Sequence, residues 1–342
     1  MLNSFQSPGD VAFHIFGMPV YFYGIIMAIA VFVGFLTSDY LYKKLIQFSV
    51  VSPSPLGERA GERGYVCNKK NNLILDISPY LIISGIIGAR LYYCLVNYSY
   101  YIQKPLEIFF IRQGGLSIHG AIIAGALAFF YFSKKYKVPF LYLTDVFLCG
   151  TILAQSIGRW GNFFNSEAFG LPCDLPWKLY IPISHRPLEY INFEYFHPTF
   201  LYESLLDMGI FVVLIFVARQ LSGYAAKFEE QRSGGQEGKL VNKNGLNEIS
   251  QFTKSDTDLF AYSPIRLFAD KISLGEPPQF PQPYGIITSL YLILYACARI
   301  FVEHFRIDSA LNILSIPIAQ IASFLMIITG TLLLISIKKR PN

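Results

Sequence analysis

Apolar runs of about 17–25 residues recur seven times along this chain, and no other feature limits its fold as strongly. They lie near 19–40, 73–97, 116–133, 141–158, 199–219, 284–304 and 315–337. About 20 residues of helix cross the hydrocarbon of a bilayer. Backbone N–H and C=O groups find no water there, so a span satisfies them internally as a helix. Only 15% of the 342 residues are charged and 53% are hydrophobic, against about 25% charged in a soluble domain. The reading is an all-α integral membrane protein of seven transmembrane helices. It forms one domain over 1–342, although the length would allow two soluble ones. The third and fourth runs are short and hold glycine and polar residues, which leaves a re-entrant or interfacial segment open for each.

The formal net charge is +5. The basic residues fall between spans, so they read as orientation signals rather than as a nucleic-acid surface. The first loop carries Lys43, Lys44, Arg59, Arg63, Lys69 and Lys70, the third Lys134, Lys135 and Lys137, and the tail Lys338, Lys339 and Arg340. The second loop has Lys104 and Arg112, and the sixth Arg306. Basic loops stay in the cytoplasm, which puts the N-terminus outside and the C-terminus inside, as an odd number of spans requires. No basic residue precedes Lys43, so the first span reads as retained rather than as a cleaved signal peptide.

Two cytoplasmic loops read as flexible insertions, at about 51–71 and 220–283. The first contains SPSPLGERAGER at 52–63, without apolar periodicity. The second is polar and rich in Gly, Asn, Lys and Glu from 231 to 258, a composition that cannot build a core. The five cysteines, Cys67, Cys94, Cys149, Cys173 and Cys297, form no CxxC and no Cys/His metal spacing. Three of them lie in spans as small apolar residues.

Polar residues gather at one level. Tyr23 opens the first span, Arg90 lies toward the end of the second, His119 opens the third, and Arg159 and Asn162 close the fourth. His197, Tyr202 and Glu203 open the fifth, and Arg299, Glu303 and Arg306 end the sixth. With the N-terminus outside, all of these belong to the outer leaflet. A charge in hydrocarbon costs about 3 kcal/mol, so each needs a cavity or a partner. Arg90 alone is equally well explained as a snorkelling side chain. Arg299 and Glu303 stand four apart and share a helix face, where they pair, and Arg306 continues that face. The fourth span ends in Gly158-Arg159-Trp160-Gly161-Asn162-Phe163-Phe164-Asn165-Ser166-Glu167. Its glycines allow close backbone approach, its arginine suits a bidentate phosphate, and Glu167 is a partner to hold that arginine. Gly114-Gly115-Leu116-Ser117-Ile118-His119-Gly120 sets an imidazole at the membrane surface, where it can accept a proton near neutrality.

These stretches, with Tyr23-Gly24, Gly88-Ala89-Arg90-Leu91 and His197-Pro198-Thr199 followed by Leu201-Tyr202-Glu203, resemble prolipoprotein diacylglyceryl transferases. They occur in that family's order, and the 158–167 stretch is the most specific. Ala121, Phe200 and Gln113 depart from its usual residues, the first two near the site. The resemblance implies an enzyme of the bacterial cytoplasmic (inner) membrane, multi-pass, with its site toward the outer leaflet. Such enzymes move the diacylglyceryl group of phosphatidylglycerol onto the lipobox cysteine of preprolipoproteins, recognised by their signal peptides, and release glycerol phosphate. No metal and no organic cofactor is implied, and the nucleophilic sulfur comes with the substrate. Carried onto this chain, His119, Arg159 and Arg299 are the catalytic residues. Tyr23, Asn162, Glu167, Glu303 and Arg306, with Arg159 again, bind substrate. A transporter would also hold charges in its helices, but its polar groups sit near the midplane between internal repeats. A non-catalytic scaffold would not need Arg, His, Glu and Asn drawn from separate helices.

Overall fold

The computed structural model describes residues 5–47, 72–110, 114–241, 284–307, 312–313 and 316–339. The helices are α1 (Phe22–Gln47), α2 (Leu73–Val96), α3 (Tyr98–Gln103), α4 (Ile118–Tyr136), α5 (Phe140–Phe164), α6 (Thr199–Val241), α7 (Ile286–Glu303) and α8 (Ile318–Lys338). Short strands join their ends: β1 (Phe5–Gln6), β2 (Val11–Ile15), β3 (Met18–Tyr21), β4 (Leu179–Tyr180), β5 (Tyr195–Phe196), β6 (Asn312–Ile313) and β7 (Ile316–Pro317).

Among the described residues, six helices are long and apolar enough to cross a membrane: Phe22–Lys44, Leu73–Val96, Phe140–Phe164, Thr199–Leu221, Ile286–Glu303 and Ile318–Lys338. That is the make-up of a multi-pass integral membrane protein. The expected count is seven. The difference is α4, a regular helix of 19 residues whose His119, Lys134 and Lys135 lower its apolar content. The fourth run is a full span, because the helix continues through the polar residues to Phe164. The helix α6 runs on to Val241, so the first part of the stretch read as loop from 220 is helical. The remainder of that loop, the whole of the expected insertion at 51–71, and Gln113 lie outside the described residues.

The helices pack closely where small residues meet. A Cβ on Gly150 would stand 2.1 Å from the Gly34 carbonyl oxygen, fixing the α1–α5 crossing, and one on Gly120 would stand 2.2 Å from the Gly88 oxygen, fixing α2 against α4. Small residues at such crossings are how helices associate in lipid, where apolar burial gives little driving force. The interior is built from Ile74, Ile77, Leu143, Val146, Ile152, Leu214 and Ile287, all nearly inaccessible. Outward faces remain apolar, as with Phe32, Ile83, Leu127, Val212 and Leu332, all more than half exposed or close to it.

One end of the bundle carries a buried cap over α7. Asp145 of α5 accepts from the Thr288 backbone N–H at 2.7 Å and from the Thr288 hydroxyl at 2.6 Å, and it also takes the Gly285 N–H. These are orphan donors of the first turn of α7, and a carboxylate there suits the helix dipole. The other end carries a second, smaller core. Phe163, Phe169, Leu179, Ile181, Phe196 and Phe200 pack beneath the 165–198 connection, with Phe5 of β1 against them. Strand β1 pairs with β4 and β4 with β5, so this cap ties the chain's beginning to the ends of α5 and α6.

Candidate active site

At the capped end, α5 finishes where α6 begins and α7 finishes beside both. That arrangement brings three guanidiniums onto one buried carboxylate. Glu203, 5% exposed, meets Arg159 Nη2 at 2.6 Å, Arg299 Nη1 at 2.9 Å and Arg306 Nη1 at 3.1 Å. The other amino group of Arg299 meets Glu303 at 3.0 Å, the pairing that the four-residue spacing requires. The contacts are unequal. Arg299 and Arg306 donate aligned hydrogen bonds to Glu203 Oε1. Arg159 is held to Oε2 as an ion pair only, since that oxygen lacks an aligned hydrogen bond. Arg159 and Arg299 keep about a quarter and a fifth of their side chains exposed, at 24% and 20%. The network is therefore sealed at its carboxylates and accessible at two of its arginines.

The cap sets this geometry. Gly170 N–H donates to the His197 carbonyl and Leu171 N–H to the Phe305 carbonyl, both at 2.8 Å, and Gly170 bridges to Arg306. The chain after α7 is thereby bound to the chain before α6, which turns Arg306 back over Glu203. His197 lies in this seam, with Nδ1 3.2 Å from the Tyr202 hydroxyl and its ring against Phe305. Burial pulls its pKa below the ordinary histidine value. Trp177 donates to the same Tyr202 hydroxyl at 3.0 Å.

The other site residues divide. Tyr23 covers the end of α5, and a Cβ on Gly161 would stand 2.6 Å from its ring. Asn162 and Asn165 donate to Glu167 Oε1 at 3.0 and 3.2 Å. Glu167 is thus not the group that holds Arg159. It lies beyond the helix end, past Ser166 with its φ of 53°, and Glu203 takes that part. His119 is exposed at the start of α4, its ring 5.9 Å from that of Tyr92 on α2. It stands on the α2–α4 flank, not in the ion network.

Arg90 has a different use. It is 6% exposed and donates to the carbonyls of Glu107, Ile108, Gly114 and Gly115, while its guanidinium lies 5.3 Å from the Tyr101 ring. It organises the loop that leads into His119. Gly115 has φ +77°, and a Cβ there would stand 2.5 Å from Arg90 Nη1, so only glycine fits.

Glu203 is visible in the sequence as one polar residue among many; that it joins three arginines is not. Asp207 and Tyr295, which line a small hollow with Glu203 and Arg299, were missed. The available signal for Asp207 was an acidic residue one turn inside an apolar span. Phe200, which departs from the family's usual residue, is fully buried in the cap, 5.3 Å from Phe163 and 5.7 Å from Trp160 between ring centroids. Beside the network, Ile26, Ile157, Trp160, Leu205 and Met208 line an apolar groove of about 330 Å³ between α1, α5 and α6.

A bundle of apolar helices that closes an arginine–carboxylate network at one end, beside an apolar groove, defines a multi-pass membrane protein with a charged site at its helix ends. The chain belongs to the prolipoprotein diacylglyceryl transferase family, whose model matches residues 10–234 and 267–336. Relatives named phosphatidylglycerol–prolipoprotein diacylglyceryl transferase agree. One from Synechocystis sp. is 36% identical over 329 residues, covering 96% of this chain and 89% of the relative. One from Parasynechococcus marenigrum is 33% identical over 346 residues, covering 99% and 97%. One from Nostoc sp. is 47% identical over 211 residues, covering 62% and 67%.

Proposed function

We propose that this protein transfers the diacylglyceryl group of phosphatidylglycerol to the lipobox cysteine thiol of preprolipoproteins, the first step of bacterial lipoprotein maturation. The observation that carries the reading is the sharing of Glu203 by Arg159, Arg299 and Arg306 at the mouth of the bundle. A lipid phosphodiester competes with Glu203 for the two accessible guanidiniums. Arg159 is the more exposed of the two, and its contact with Glu203 is not an aligned hydrogen bond. The groove beside Trp160 suits an acyl chain of the same lipid, entering laterally from the bilayer.

In this reading the cysteine sulfur attacks the glyceryl carbon that bears the phosphate. The C–S bond forms as the C–O bond to phosphate breaks, and glycerol phosphate departs with the electron pair. Arg159 and Arg299 stabilise the charge that develops on the leaving oxygen. A free thiol near pKa 8.5 is only a few per cent thiolate at neutrality, and His119 accepts its proton. Tyr23 and Asn162 line the approach, Glu167 orients Asn162, Glu303 orients Arg299, and Arg306 keeps Glu203 in place.

We further take α4 as a seventh crossing, with the N-terminus outside, the C-terminus inside and the site at the outer leaflet of the cytoplasmic membrane. The support is that α4 reaches α5 through the short turn 137–139 and begins beside α2, where Ser117 N–H donates to the Ala89 carbonyl at 3.0 Å. The basic loops add to it. The test is a purified-protein assay in micelles containing phosphatidylglycerol, with a synthetic lipobox peptide as acceptor. A mass gain of one diacylglyceryl group on the cysteine is expected. No gain from folded protein, with an active relative alongside, overturns the reading.

A further inference from the structure

Asp207 takes no part in the reaction as described so far. It lies on α6 four residues beyond Glu203, so the two carboxylates leave the helix on one face. It is 2% exposed, and its Oδ2 has no hydrogen-bond partner among the described residues. Glu203, Arg159, Arg299, Tyr291 and Tyr295 act on it from α5, α6 and α7. With Glu203, Tyr295 and Arg299 it lines a hollow of about 10 Å³, room for one water. A buried carboxylate with an unsatisfied oxygen is costly unless charge compensates it. Arg159 and Arg299 are the positive groups that act on it, without closing an ion pair on it among the described residues, and they are the two arginines that the substrate meets.

We propose that Asp207 is a positioning residue for the transfer, an acceptor beneath Arg159 and Arg299 that attracts them while the lipid phosphate takes over the N–H groups that Glu203 otherwise engages. This rests on the transferase reading. Glu203 has two oxygens and already serves three arginines. A phosphate that draws Arg159 and Arg299 outward loosens them from Glu203. A second carboxylate one turn deeper keeps the pair aligned on the leaving oxygen. Asp207 touches no reacting atom and acts only through the guanidiniums.

The charge gives the inference a sign. Asp207→Asn removes a negative neighbour from the arginines, so capture of an anionic lipid is not weakened. Alignment in the transition state is, which lowers kcat rather than raising KM. The experiment measures kcat, KM for phosphatidylglycerol and thermal unfolding for wild type, Asp207→Asn and Asp207→Glu in the same micelles. The expected result is a kcat about 100-fold lower in Asp207→Asn, the cost of misplaced groups. KM is unchanged or lower, unfolding is near wild type, and Asp207→Glu recovers most of the rate. Wild-type kcat and KM in Asp207→Asn overturn this inference alone. So does a loss of rate and stability together that Asp207→Glu does not recover, since that marks a structural role. An inactive wild type overturns the transferase reading, and this inference with it.

Discussion

Arg90 and Arg159 each stand near the end of a helix, just after small residues, and they do different work. Arg90 spends its donors on four backbone carbonyls and is buried. Its acceptors are neutral and fixed, and with four of its five N–H donors engaged and the group 6% exposed it offers little to a ligand. Arg159 meets one carboxylate through an unaligned contact and stays a quarter exposed. An anion can replace a carboxylate at such a contact without leaving a backbone group unsatisfied. The comparison teaches that the acceptor, more than the arginine or its place on the helix, separates an arginine committed to the fold from one open to an anion. His119 belongs to the Arg90 region, since the loop that Arg90 organises leads directly into it.

The sharpest break of this contrast comes from Arg159→Ala and Arg299→Ala. Each is expected to lower transfer by about 1,000-fold with the protein still inserted and folded, the scale of losing a preorganised donor to a developing oxyanion. Peptide mass and detergent-phase unfolding are the readouts. Next is His119→Asn, expected to lower the rate about 100-fold, the lower range for general-base loss. Its unfolding and lipid affinity stay as in wild type; a wild-type rate would remove His119 from proton transfer. Arg90→Lys comes third. One ammonium cannot span four carbonyls, so unfolding should show a loss of about 1–3 kcal/mol while lipid affinity stays unchanged. The smallest effect concerns His197. Burial favours its neutral form, so the unfolded chain binds a proton that the folded one resists. Stability is fully present above the ordinary histidine pKa and declines as pH falls through it. Unfolding at pH 7.5 and 5.5 should show a smaller drop in His197→Asn than in wild type.

Much of this was legible before any coordinates. The spans follow from apolar length, and the Arg299–Glu303 pair follows from spacing on one helix. Both are local properties. Glu203 at the centre of three arginines is not local: it needs α6 to begin where α5 and α7 finish, and the cap to turn Arg306 back. The cap itself hides for the same reason. Its strands are two residues long, too short for any alternation, and its core forms from Phe5, Phe163, Phe196 and Phe200, far apart in sequence. Nearness in the chain makes Glu167 the sequence's candidate partner for Arg159, and the turn at Ser166 carries it to Asn162 and Asn165 instead. The seventh span fell short for a compositional reason, since α4 has a histidine at one end and two lysines at the other.

The most direct test of the account is binding, separated from chemistry. Titrating a short-chain phosphatidylglycerol into detergent-solubilised wild type, Arg159→Ala, Arg299→Ala and Arg90→Lys measures which arginines hold the phosphate. The account predicts an affinity at least about tenfold weaker, or 1.4 kcal/mol, in Arg159→Ala and Arg299→Ala, and wild-type affinity in Arg90→Lys. Wild-type affinity in Arg159→Ala and Arg299→Ala, or a loss in Arg90→Lys equal to theirs, would contradict it.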